Sequence, residues 1–222
     1  MKYRILLFFV LVVSAIVVAY VMTLDQQSVK TLPVIQPRDV KNEMVAPELL
    51  QVGMGHRIGD FSLLNQYGAT ITLEQVKGKV FVAEYFFTTC GTICPKMTEQ
   101  MTRVQERFRG NEEVKILSFT VNPDYDTVQV LYEYAQKYGA EKQQWHFLTG
   151  SKEELYGLAR KSFFVLKPAE AMNLGDAGSD FIHTNNFVLV DQELRIRGYY
   201  DGTSISEVNE LMEDVELLIS KN

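Results

Sequence analysis

The chain has 222 residues, 46% of them hydrophobic and 23% charged, with 22 basic residues against 28 acidic ones and a net charge of −6. These are the proportions of an ordinary globular protein, which excludes a collagen-like repeat, whole-chain disorder and a polytopic membrane protein. The acidic balance, greater still once Lys2 and Arg4 are set aside, excludes the electrostatic footprint of a nucleic-acid binder, and two cysteines are too few to staple a core.

Ile5 to Met22 form an uninterrupted stretch without a charge, Gly or Pro. As a helix it would be about 27 Å long, near the thickness of a bilayer core. Lys2 and Arg4 precede it and Asp25 follows it, so a span here would leave the N-terminus in the cytoplasm and export the rest. A cleaved signal peptide is the rival, with an apolar core of about 7–15 residues and small residues before the cut. Ala15 and Ala19 do not make a convincing cleavage site, and no cysteine follows closely enough for a lipid anchor. The expected organisation is an anchor over residues 1–22, a linker over 23–57 and a folded domain over 58–222. The linker is read from polar sequence with scattered prolines (Pro33, Pro37, Pro47) and no sustained period.

Within the domain, Phe61–Leu64 and Thr70–Leu73 flank Asn65-Gln66-Tyr67-Gly68, the pattern of a hairpin. Lys79–Phe87 is β-branched and aromatic, as in a strand buried on both faces. Met97, Met101, Val104 and Phe108 recur at helical spacing, which reads the two methionines as core rather than as thioether ligands. Val114–Val121 is a second buried strand, and Trp145–Leu148 a short one. Thr127–Tyr138 and Ser151–Lys161 read as helices, the second opening on a capping box at Ser151 and Glu154. Phe187–Val190 and Arg195–Tyr200 form a hairpin about Asp191-Gln192-Glu193, and a last helix runs from about Ser204 to Ile219. Asp124 and Asp126, in NPDYDT, read as turn and capping residues. This order predicts an α/β domain with a mixed sheet flanked by helices, in the thioredoxin-like arrangement, with the first hairpin as an N-terminal extension.

The chemistry concentrates at Cys90 and Cys94, in TTCGTICPKM. Pro95 lacks an N–H and is tolerated in a helix's first turn, so the helix starts near Ile93 or Cys94 and leaves Cys90 on the loop before it. Free backbone N–H groups and the helix dipole then favour thiolate at Cys94. Three intervening residues suit two sulfurs gripping one ion as well as they suit a disulfide. A third ligand is wanted, and there are three histidines. His56 reads as a solvated residue at the end of the linker, and His146 as a structural residue in an apolar strand. His183 precedes the strand Phe187–Val190, after a loop rich in Gly and Asp, on the side of the sheet where the cysteine helix lies. Two thiolates and one imidazole suit Cu(I) best, with zinc second.

FFTTCGTICPKM, VNPDYDT, WHFLTG and DFIHTNNFVLVD, in this order and spacing, resemble the Sco/SenC family over roughly residues 58–220. The resemblance implies a membrane-anchored, thioredoxin-fold copper protein that takes part in assembling the binuclear copper centre of cytochrome c oxidase. It implies that Cys90 and Cys94 are the copper-binding and redox thiols, that His183 is the third ligand, and that Cu(I) and Cu(II) can both be held. The implied partner is the copper-receiving oxidase subunit, alongside a copper donor or thiol reductant. Two positions depart from the family pattern: Ile182 stands where many members have an acidic residue before the histidine, leaving Asp180 as the nearest carboxylate, and Gly91 stands where Pro is common. A membrane-anchored thiol–disulfide oxidoreductase is the alternative. Such enzymes carry a proline just before the late strand, where this chain has Thr184. A peroxidase of the peroxiredoxin kind needs a proline upstream of its cysteine, and none lies between Pro47 and Pro95.

Overall fold

A computed structural model describes residues 2–25, 30–50, 55–165 and 184–220 and divides the chain into two units, one up to Thr31 and one from Leu32 onward. The first unit is a single helix, α1 (Lys2–Asp25). Its side chains from Leu7 to Val18 are exposed, a run of about 18 Å at ~1.5 Å per residue. Among the described residues no helix is long and apolar enough to cross a membrane.

The second unit is a seven-stranded mixed sheet in the order β2-β1-β5-β4-β3-β6-β7, flanked by helices. Its strands are β1 (Ser62–Asn65), β2 (Thr70–Thr72), β3 (Val80–Phe86), β4 (Val114–Thr120), β5 (Trp145–Thr149), β6 (Asn186–Val190) and β7 (Ile196–Asp201). The helices are α2 (Leu73–Val76), α3 (Ile93–Arg107), α4 (Val128–Lys137), α5 (Lys152–Lys161) and α6 (Ile205–Ile219). β3, β4 and β5 run parallel, with β3 and β4 in register from Val80 opposite Val114 to Phe86 opposite Thr120. β6 pairs antiparallel to β3, β7 to β6, and β1 to β5. The predicted strands and long helices are therefore present, with ends shifted by a residue or two. The first hairpin is more than an extension: Leu64 opposite Thr149 and Asn65 opposite Leu148 stitch it onto the central sheet.

All seven residues of β3 are buried, and their alternation divides the core. Phe81, Ala83 and Tyr85 pack with Phe119 and with Leu155 and Ala159 of α5. Val80, Val82 and Phe86 pack with Met97, Met101 and Val104 of α3 and with Val208, Leu211 and Val215 of α6. Both methionines are thus core residues, as their spacing predicted. The capping box of α5 is only half made. The Ser151 hydroxyl accepts from Glu154 N–H at 3.2 Å, but the Glu154 carboxylate accepts instead from Ser62 N–H at 2.8 Å, tying α5 to β1.

The linker reading needs correction over residues 32–50. This segment folds onto the domain: Leu32, Val45 and Ala46 are buried, and short 3₁₀ turns cover Pro37–Asp39, Asn42–Met44 and Pro47–Leu49. Ile35 N–H donates to Ile196 C=O at 2.9 Å, adding the segment to the edge strand β7. Arg197 holds it from below, donating to Pro33 C=O at 2.7 Å and to Leu32 C=O while pairing with Asp191 at 2.8 Å. Asp191 is fully buried and also accepts from Arg195 and from the N–H groups of Glu193 and Arg195. Polar composition failed as a guide here because a few scattered apolar residues (Leu32, Val45, Ala46), backbone groups and one arginine make the attachment, with partners far along the chain.

His56 is corrected too. It is buried, its Nε2 lies 2.8 Å from Ser162 C=O, and its ring sits 4.4 Å from that of Phe164. Burial, only partly offset by the Ser162 hydrogen bond, lowers its pKa and favours the neutral ring. Replacing Asp191 by Ala strands the Arg197 guanidinium in a site that is only 11% exposed. The expected cost is about 3 kcal/mol, read by urea unfolding, with new proteolytic cleavage between residues 32 and 50 at temperatures where the sheet stays folded.

Candidate metal centre

β3 ends at Phe86, and α3 begins at Ile93 after a loop of six residues. The loop between them doubles back through the Cys90 N–H, which donates to Phe87 C=O at 3.2 Å. Pro95 falls in the first turn of α3, where no N–H is needed, as predicted. Cys90 and Cys94 are both free thiols, 8% and 3% exposed. The Cys94 backbone N–H, one of the unsatisfied donors of the helix's first turn, points at Cys90 Sγ from 3.5 Å, and Thr92 Oγ1 lies 3.7 Å from the same sulfur.

These contacts make the two thiols unequal, in the opposite sense to the one expected. Burial pushes the Cys90 pKa up, but hydrogen bonds from the Cys94 thiol and from the Thr92 and Cys94 backbones outweigh it, and the net value falls to about 7. Cys94 moves well above the ordinary thiol range. Burial is the main cause, followed by its hydrogen bond to Cys90 and the charges of Cys90 and Glu84, against a single opposing backbone bond at Phe87. The free N–H groups at the start of a helix point out along its axis into the preceding loop. They therefore serve the sulfur on the loop, not the one on the helix.

His183 lies outside the described residues, as do Asp180 and Ile182. Just beyond it, Thr184 Oγ1 accepts from Asn186 N–H at 3.3 Å as the chain enters β6. Because β6 is antiparallel to β3, this entry lies at the end of the sheet where β3 delivers Cys90. His146 is at the other end, near the start of β5, beside a groove lined by Lys79, Lys115 and Gln143. Burial and the Lys115 charge lower its pKa to about 4, and it has no part in the cysteine site.

Sequence reasoning passed over Glu84. It sits on β3 between Val82 and Phe86, so alternation puts it on the face that packs against Cys94 and Met97. It is fully buried. Ser118 donates to its Oε1 at 2.6 Å and Trp145 donates in turn to the Ser118 hydroxyl at 2.8 Å, while Oε2 has no hydrogen-bond partner among the described residues. Burial, opposed by the Ser118 bond, raises its pKa to about 7. The available signal was a lone acid inside the apolar run VFVAEYFF.

Residues 52–220 match the SCO1/SenC family model. The chain belongs to the Sco/SenC family. It is 34% identical over 167 residues to the SCO1 protein homolog of Bacillus subtilis, an alignment covering 73% of this chain and 83% of that one. Among solved structures, BsSco, described as a Sco-family cytochrome c oxidase assembly protein with a disulfide switch, superposes with a TM-score of 0.64 at 32% identity. That alignment spans 76% of this chain and 96% of BsSco. Copper-bound ScoI of Arabidopsis thaliana gives 0.57 at 25% identity, over 74% of this chain and 98% of its own. The thioredoxin-like fold is thereby shown.

The buried Glu84 carries a pH signature. Its folded pKa, about 7, lies above the ordinary value of about 4.5 for an exposed glutamate, so the unfolded chain gives up this proton first. Stability attributable to the group is intact below about pH 4.5 and is lost as pH rises to about 7. Glu84→Gln should flatten that limb and stabilise the protein at pH 8 by up to about 3 kcal/mol, measured by urea unfolding at pH 5 and pH 8.

Proposed function

We propose that this chain is a copper-binding assembly factor that carries copper on Cys90, Cys94 and His183 and delivers it to the binuclear copper site of cytochrome c oxidase. The observation that carries this reading is the pair of free thiols facing each other across the start of α3, with Cys90 lowered to about 7. Two sulfurs held this way suit a soft ion such as Cu(I), and one imidazole, assigned to His183, would complete a three-coordinate set. Copper-bound ScoI of Arabidopsis thaliana and the oxidase-assembly description of BsSco support the cargo and the target. Transfer then proceeds by ligand exchange. Incoming thiolates of the oxidase subunit replace those of Cys90 and Cys94 while the ion stays coordinated throughout. Oxidation of the pair to a disulfide removes both sulfur ligands, so the redox state of the dithiol switches binding.

In the same reading the N-terminal segment is a membrane anchor on the strength of its sequence, a span that the described residues of α1 do not by themselves make. Its apolar sequence from Ile5 to Met22, with Lys2 and Arg4 before it, would leave the N-terminus in the cytoplasm and the copper domain on the outer face. That is where a binuclear copper site of an exported oxidase domain would be met. A second reading, reduction of a partner's disulfide, is favoured by the inequality of the thiols. Cys90 has the lowered pKa of an attacking nucleophile, and Cys94, held protonated, would resolve the mixed disulfide. The same dithiol can serve both tasks in turn, preparing the target's cysteines before metal transfer.

The reduced full-length chain, titrated anaerobically with Cu(I) against a chelator, should bind one copper tightly, and Cys90→Ser/Cys94→Ser should bind none. His183→Ala should weaken binding and change the copper spectrum; an unchanged spectrum removes His183 from the ligand set. Counting the two thiols alone, log K should rise by about two per pH unit below pH 7 and by about one above it, where only Cys94 still has a proton to lose. Absence of tight copper together with rapid exchange with oxidised partner thiols would make the reductase role the main one.

A further inference from the structure

Asp126 is buried completely, yet it does not perform the capping task its sequence position suggests. The N-cap of α4 is Thr127, whose hydroxyl accepts from Val130 N–H at 3.4 Å. The Asp126 carboxylate points the other way, into the end of the sheet. Its Oδ1 accepts the Thr88 hydroxyl and its Oδ2 the Thr120 hydroxyl, and the Thr88 N–H approaches the two oxygens at 3.4 and 3.3 Å. Thr120 is itself held, accepting from Asn122 N–H at 3.0 Å, and Asp126 N–H donates to Asn122 C=O at 2.8 Å. One carboxylate therefore locks the turn leaving β4 to the loop leaving β3.

That loop carries Cys90, and beyond the packing of Phe87 and Cys90 against the core its middle is open. Thr89, Gly91 and Thr92 are exposed, and a side chain added at Gly91 would meet nothing within 4 Å. Between Phe87 and the start of α3, the Thr88 contacts are the described side-chain hydrogen bonds that reach an element other than the loop and α3. We infer that Asp126 is a positioning residue for Cys90, acting through Thr88 to hold the sulfur at the Cys94 N–H. The inference rests on the proposed function only in giving Cys90 a task, since the anchor itself is testable without copper.

The sign of the effect follows from which state the contact stabilises. The Cys94 N–H meets Cys90 Sγ in the dithiol, so the held loop stabilises the reduced pair, and a pair whose reduced form is stabilised is a stronger oxidant. Loosening the loop removes that stabilisation and shifts the exchange of dithiol plus oxidised glutathione to protein disulfide plus two reduced glutathiones toward the right. Each dithiol that closes to a disulfide gives two electrons and two protons to the glutathione disulfide, whose S–S bond breaks, so the exchange balances.

The full-length chain would be equilibrated in glutathione redox buffers and its thiol content read after acid quenching, with thermal unfolding and far-UV circular dichroism recorded in parallel. Thr88→Val and Asp126→Asn should each move the equilibrium tenfold or more toward disulfide, about 30 mV. The double variant should move it no further than the larger single one. Thr88→Ser, which keeps the hydroxyl and the N–H, should return it to the parent value. Thr120→Val, which leaves the Thr88 contacts in place, should shift it less than threefold even where it lowers the unfolding temperature. A folded Thr88→Val with an equilibrium within twofold of the parent would overturn the assignment, and so would a tenfold shift in Thr120→Val. Should Asp126→Asn fail to fold, Thr88→Val and its serine counterpart decide the matter. A loss of copper binding in Cys90→Ser/Cys94→Ser bears on the proposed function alone and leaves this result standing.

Discussion

The parallel pairing of β3 with β4 over seven residues organises most of what this protein can do. Two parallel neighbours must end at the same edge of the sheet. The loop carrying Cys90 and the turn carrying Asp126 are thus delivered side by side, from residues 36 positions apart in the chain. The pairing also buries β3 on both faces, so its alternate residues reach two separate cores. It is this double burial that leaves Glu84 surrounded by apolar side chains on the face shared with Cys94. Antiparallel β6, on the other side of β3, brings Thr184 and the entry of its own strand to the same edge. A site assembled this way draws on the ends of several strands, while the sheet behind it needs no distortion.

At that edge the chemistry follows from asymmetry. A helix start offers its unsatisfied N–H groups to whatever lies in front of it. Here that is the sulfur of the loop cysteine, and the helix cysteine is left behind it in the core. One thiol is thereby eased toward its anion while the other is held protonated. Such a pair is poised for attack and resolution in thiol exchange, and it can equally clamp a soft ion once both protons are released. The two proposed roles therefore draw on one arrangement, and both require the dithiol to be reduced.

Much of this arrangement was legible in the residues. β-Branched and aromatic runs marked β3 and β4, Pro95 marked the start of α3, and Ser151 and Ser204 marked the starts of α5 and α6. Cys90 and Cys94 stood out by being alone and four apart. Other features had no local signature. Residues 32–50 look like a tether by composition, but Arg197 and the backbone of β7 bind them, and both lie more than 140 residues further along the chain. His56 looked solvated because nothing nearby in sequence announced the Ser162 carbonyl and the Phe164 ring that enclose it. Asp126 carried the composition of a turn, while its partners Thr88 and Thr120 belong to other elements.

The sequence by itself determined the secondary elements, their order and the two thiols, because periodicity, proline stereochemistry and capping act within a few residues of the chain. The tertiary structure alone decided which thiol is activated, which acid is desolvated and which carboxylate holds the loop. Each of those depends on a donor or a low-dielectric neighbour supplied by a different strand or helix, and a pKa or a hydrogen bond responds to distance in space, not to distance along the chain.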